Sequence, residues 1–194
     1  MLQANDVRVL ADIRTIPRSR RNPQFESAAL AAALAASGIR YVHLPRLGGL
    51  RRARGDSPNG AWRNASFRGY ADHMDTAEFA AGLDELKALT REGAVAIMCA
   101  EAVPWRCHRS LVADALWARG VVVGHLTGPG EPRPHRLTPF AVVSGRRVTY
   151  PAAPETGAAA APRRKPAGEI PRRRAPRAAG GATRSRARAA RSRA

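Results

Sequence analysis

Residues 94–120 read AVAIMCAEAVPWRCHRSLVADALWARG, and this stretch decides the fold. It opens on a short, continuous apolar run, the pattern of a strand covered on both faces of a sheet. It closes on a segment whose apolar positions, Leu111, Val112, Ala115 and Leu116, share one side of a helix that ends at Gly120. Between the two lies a polar loop holding the chain's two cysteines, Cys99 and Cys107. A buried strand that feeds directly into an amphipathic helix is half of a βαβ crossover.

Outward from this unit the same alternation repeats. VRVLADIR, residues 7–14, is a second buried-strand pattern, followed by the Ala- and Leu-rich helix pattern FESAALAAALAASG, closed by Gly38. IRYVHLP is a strand stopped by Pro45, and FRGYADHM and TAEFAAGLDELKALTREG are helical, the latter starting at Thr76. VVVGHLT, residues 121–127, has the composition of a fourth strand, and LTPFAVVSGRRVTYP suggests a hairpin turning at Ser144-Gly145. Strands alternating with helices predict an α/β fold: a mostly parallel sheet of four or five strands with helices on both faces. This globular domain is expected over residues 1–150.

Charge separates the rest. The chain carries +18 over 194 residues, with a pI near 11.7. Residues 151–194 hold twelve Lys/Arg and two Asp/Glu, so +10 of that excess lies in the last 44 residues. They are nearly all Ala, Arg, Pro and Gly, a composition that cannot bury enough apolar surface to offset the entropy of ordering, so a disordered basic tail is expected. Such a tail attracts polyanions through phosphate neutralisation, which makes nucleic acid or a nucleotide the expected partner. No apolar run reaches the length of a membrane span, and the first residues lack the pattern of a secretory signal, so no membrane partner and a cytoplasmic location are expected. Composition leaves the oligomeric state open.

In open parallel sheets ligands bind beyond the carboxyl ends of the strands. The residues at those ends are Asp12 and Arg14, then His43, then Cys99 and Glu101, then His125. Cys107, His108 and Arg109 open a helix, where unpaired N–H groups and the positive end of the dipole favour an anion or a thiolate. Arg106 and Arg109 would add charge for a phosphate, and Arg14, Arg18, Ser19 and Arg20 form a basic loop after the first strand. Glu101, His108, Asp12 and Cys107 are the candidate catalytic groups: two carboxylates or an imidazole for acid–base chemistry, a thiol for nucleophilic attack. The long loop LGGLRRARGDSPNGAWRNASFRGY supplies candidate substrate contacts in Gly48, Gly49, Trp62, Arg63 and Tyr70, with His43 beside it. Aromatics interleaved with arginines suit base stacking, though Trp62 equally suits anchoring the loop to the core.

No cofactor is favoured. Zinc stays open, with Cys99, Cys107 and His108 as its ligands, although C-x7-C followed directly by His is not a familiar zinc spacing. A Cys99–Cys107 disulfide would span the loop but is not expected to persist in a reducing compartment.

The motifs Asp12-x-Arg14-x-x-Pro17-x-Ser19-Arg20-x-x-Pro23-x-Phe25, Leu47-Gly48-Gly49, Trp62-Arg63-Asn64 with Phe67-Arg68-Gly69-Tyr70-Ala71, and Cys99-Ala100-Glu101 with Cys107-His108-Arg109 occur in this order. In this the chain resembles the prokaryotic family known as domain of unknown function 488, over about residues 5–130. The resemblance implies a compact α/β protein and brings no catalytic assignment with it. The residues alone point first to an enzyme acting on the phosphate or base of a nucleotide or nucleic acid, with a metal-independent hydrolase or a nucleic-acid-processing enzyme as the expected class. The alternatives are a non-catalytic nucleic-acid-binding module and a Cys/His thiol or zinc protein.

Overall fold

The computed structural model describes residues 1–128 and 130–153, and the expected basic tail falls almost wholly outside them. At its centre are three parallel strands in the order β2-β1-β3: β1 is Val7–Asp12, β2 Arg40–His43 and β3 Ala94–Met98. β1 pairs on both sides, and Asp12 stands level with His43 on one neighbour and Met98 on the other. The strand ends are therefore aligned, and whatever follows each strand emerges at one edge.

Alternation along β1 builds two cores. Val9, Ala11 and Ile13 face α2 (Ala65–His73), α3 (Ala77–Leu89) and α4 (Arg109–Trp117), where Tyr70, Phe79, Leu83, Leu111 and Val112 close the packing. Leu10, with Val7, faces α1 (Ser27–Ala35) through Leu30 and Leu34. Helices thus cover both faces of the sheet. Local chemistry marks their ends: Asn64 accepts the N–H groups of Ser66 and Phe67, and Thr76 accepts that of Phe79. After α4 the chain turns at Gly120, whose φ of +74° few other residues adopt.

One expectation fails. The described residues form three strands in the main sheet rather than four or five, because Val121–Val123 do not join it. Val122 is 98% exposed, and only Gly124–His125 (β4) is extended, pairing antiparallel with Arg133–Pro134 (β5). Gly124 permits this pairing, since a Cβ there would come within 2.6 Å of Pro132. The segment folds back closely on its own neighbour instead of on β3. The expected hairpin forms, from Val142–Ser144 (β6) to Arg147–Thr149 (β7), and places Val148 and Tyr150 in the larger core. No helix among the described residues is long and apolar enough to cross a membrane.

Candidate functional site

The strand ends carry the residues that the sheet-edge rule singled out, and most are engaged with one another. Asp12 is fully buried; its carboxylate accepts the Arg14 backbone N–H at 3.0 Å, the Arg14 Nε–H at 2.9 Å and the Arg14 Nη2–H at 2.5 Å. Tyr41 on β2 donates its hydroxyl to Asp12 Oδ2 at 2.7 Å. Burial opposes the Asp12 charge, but the hydrogen bonds from Arg14 and Tyr41 outweigh it and hold the carboxyl below its ordinary range. Burial, then the Asp12 carboxylate, pushes the Tyr41 phenol up to about 12. Arg14, with 6% of its surface exposed, is bound to this carboxylate.

Two histidines then close the end of β1. His43 Nε2 lies 2.8 Å from the Arg14 carbonyl oxygen and His108 Nε2 lies 3.1 Å from that of Ile13. A carbonyl only accepts, so both rings carry their proton on Nε2. For His108 this leaves Nδ1 as a lone pair, 3.7 Å from the Cys107 sulfur. Burial lowers the His108 pKa to about 4, so the ring is neutral at pH 7. Tyr70, buried and donating to the Leu47 carbonyl at 2.8 Å, packs its ring 4.9 Å from that of His108. The Gly48-Gly49 pair lies against the same place. A Cβ at Gly49 would meet His108 Nδ1 at 2.5 Å, and one at Gly48 would meet Thr15 Oγ1 at 2.6 Å. The glycines let the loop backbone close over the strand end.

Beside His108 the sulfurs of Cys99 and Cys107 are joined, whereas a disulfide here was not expected to persist. The loop leaving β3 brings them together over eight residues of sequence, with Cα atoms 7.5 Å apart. Each sulfur also accepts a backbone N–H: Cys99 from Glu101 at 3.3 Å, Cys107 from Arg109 at 3.4 Å. The ligand atoms of Cys99, Cys107 and His108 lie within 4.8 Å of one another, so with the sulfurs reduced the same three residues supply the donor set of a soft metal ion. Arg109 braces the loop through its Nη2, which donates to the carbonyls of Glu101 and Ala102.

The remaining candidates are dispersed. Glu101 and Arg106 are exposed, as are Arg18, Arg20 and Arg63. Ser19 accepts the Asn22 N–H, which shapes its own turn. Trp62 packs its ring on Phe67, Phe140 and Tyr150, with centroids 4.7, 4.9 and 5.5 Å away. Its partners are protein rings, as a loop anchor requires.

Sequence reasoning missed Asp114. This fully buried carboxylate on α4 accepts from Thr138 Oγ1 and Tyr150 OH, both at 2.7 Å, and contacts His135 Nε2 at 2.9 Å. An aspartate inside the apolar run LVADALW was the available signal, since a buried charge needs partners. His125, expected at a strand end, reaches the same group through His135.

The model of the family described as Domain of unknown function DUF488 matches residues 1–116. The chain belongs to the DUF488 family. The match takes in all three parallel strands and the Cys99–Cys107–His108 cluster, and it ends inside α4. No curated protein and no solved structure matches the chain.

Proposed function

We propose that this DUF488 protein is a dithiol enzyme whose centre is Cys99, Cys107 and His108 at the carboxyl edge of the sheet. The observation that carries this reading is the convergence of two sulfurs and an imidazole lone pair at the edge where α/β proteins bind ligands. The roles follow from burial. Cys99 is half-buried in the loop and takes the attacking position, while Cys107, 2% exposed, is the resolving thiol. In the reduced state, the Cys99 thiolate attacks one sulfur of a substrate disulfide, forms a mixed disulfide and releases the first thiolate. The proton of Cys107 passes by way of His108 Nδ1 to the released thiolate, and the Cys107 thiolate then attacks Cys99 Sγ. That step closes the Cys99–Cys107 bond and releases the second thiolate, so the substrate gains the two electrons the pair loses. The Arg109 N–H and the start of α4 favour negative charge on Cys107.

The surrounding charge bears on the substrate. Arg18, Arg20, Arg63 and Arg106 are exposed and make no ion pair among the described residues, which suits a disulfide substrate that carries carboxylate or phosphate groups. A second reading rests on the same cluster. Cys99, Cys107 and His108 would hold zinc as three ligands with a fourth position open, polarising a bound water. Their 7.5 Å Cα separation, wider than the about 4.4–6.8 Å of ordinary disulfides, suits two thiolates facing a shared ion.

Elemental analysis of the purified full chain, with thiols counted before and after reduction, separates the readings. The dithiol reading expects two thiols after reduction, reversible closure in a glutathione buffer and no stoichiometric metal. One tightly held zinc per chain, with both thiols protected from alkylation, would overturn it in favour of the metal reading. Two thiols that never pair under oxidising buffer would sink it outright.

A further inference from the structure

β3 is an edge strand, and its outer edge borders a groove of about 510 Å³. Ala94–Ile97 form one wall and Val121–Leu126 the other, with Leu86 and Leu116 between them. The size is within the about 300–1,000 Å³ usual for small-molecule sites. Two features make it more than an apolar cleft. Arg109 lines it, with Nε buried and without a hydrogen-bond partner, and with Nη1 making no hydrogen bond among the described residues. His125 lines it as well, at the end of a fixed proton chain.

The chain sets the tautomers. Asp114 Oδ1 can only accept, so His135 holds its proton on Nε2, 2.9 Å away. His135 Nδ1 is then a lone pair and receives the proton on His125 Nε2, also at 2.9 Å. His125 Nδ1 is left as an unprotonated nitrogen with no protein partner among the described residues. Asp114 is itself held by Thr138 and Tyr150, so it is fixed in place. Burial, then His135 and Arg109, disfavours the charged form of His125, so the lone pair persists at neutral pH.

We infer that this groove is a second ligand site, separate from the sulfur cluster, for an apolar carboxylate. Arg109 meets the carboxylate, the valine and leucine walls take the chain, and His125 Nδ1 accepts the hydrogen bond or proton of a hydroxyl or water beside the head group. The positive groups on the lining, Arg109 and Lys87, select the anion over neutral or cationic molecules of the same shape. His135 and Asp114 are positioning residues that hold His125 in its accepting tautomer.

The test uses the full chain with octanoate, 1-octanol and octylammonium as probes, followed by calorimetry. Octanoate is expected to bind at one saturable site, octanol at least tenfold more weakly, and octylammonium not at all. Val123→Asp, at a half-exposed wall position, should abolish octanoate binding without unfolding the protein. Equal binding of octanol and octanoate, or octanoate binding unchanged in Val123→Asp, would overturn the site. Nitrogen-15 NMR of the imidazoles tests the relay: His125 and His135 should both be Nε2-protonated. His135→Gln, which can donate to Asp114 and accept from His125, should keep the His125 tautomer, whereas His135→Leu should release it. A proton on His125 Nδ1 in the unaltered protein would refute the relay.

Discussion

Asp12→Asn is the substitution that best separates a catalytic carboxylate from a structural one. The side chains are nearly isosteric, so the change removes charge and two acceptor sites with little change of shape. What remains is Arg14, 6% exposed, with its guanidinium facing a neutral amide. Breaking a buried pair from one side costs about 3–5 kcal/mol, because the remaining charge stays desolvated and uncompensated. At about 2–4 °C per kcal/mol for a domain of this size, the midpoint should fall by roughly 6–20 °C. Adding Arg14→Met removes the stranded cation, and the double variant should recover much of the loss. Thermal and urea unfolding followed by circular dichroism measure all three chains. The sign with pH follows as well: Asp12 is depressed in the folded state, so its contribution is complete above the ordinary value of 3.8 and is lost as pH falls through the folded value. If Asp12→Asn unfolds within about 1 kcal/mol of the parent, or the double variant is the less stable of the two, the ion pair does not hold the strand end as argued.

Gly49→Ala forces a methyl group against the His108 ring and should destabilise by about 1–3 kcal/mol, with a change in the alkylation rates of Cys99 and Cys107 that a remote alanine substitution would not produce. His108 gives the domain a second pH dependence. Its folded pKa of about 4 lies below the unfolded 6.5, so the unfolded chain binds more protons between those values and stability rises with pH across that window, then levels off. His108→Gln should flatten this rise in unfolding curves taken from pH 4 to 7. Trp62→Ala should cost about 3–5 kcal/mol if the ring anchors the loop. The affinity of single-stranded oligonucleotides, measured by fluorescence anisotropy below the unfolding range, should then be unchanged, whereas a stacking platform would lose it.

Most elements were legible because their signals are local. The apolar runs of β1 and β3, the Thr76 cap and the Ser144-Gly145 turn lie within a few residues of the structure they specify. Val121–Val123 misled for the same reason. Their composition is that of a strand, but strand pairing is settled by the partner, and the residues that follow them pair with Arg133–Pro134 rather than with β3. The uncovered edge that results borders the groove beside β3, so the expectation of a fourth strand also concealed that groove.

The site was legible by position and not by role. The sheet-edge rule singled out Asp12, Arg14, His43, Cys99, Glu101 and His125, and the helix start added His108, but neither could say which of them the fold itself consumes. Asp12 is bound to Tyr41 and Arg14, His43 to the Arg14 carbonyl, and Tyr70 to the Leu47 carbonyl; several of these partners are more than twenty residues away in sequence. Subtracting these committed groups leaves the two sulfurs and the Nδ1 of His108, which is why our proposal centres on the thiols, with Arg14 held by Asp12. The same subtraction works in the other direction on α4. Asp114 is consumed by Thr138, Tyr150 and His135, and because it is consumed, the nitrogen at the far end of its chain, His125 Nδ1, is free. A buried acceptor with no freedom of its own fixes the proton on each ring in turn, and chemical capability moves two residues outward to the wall of the groove.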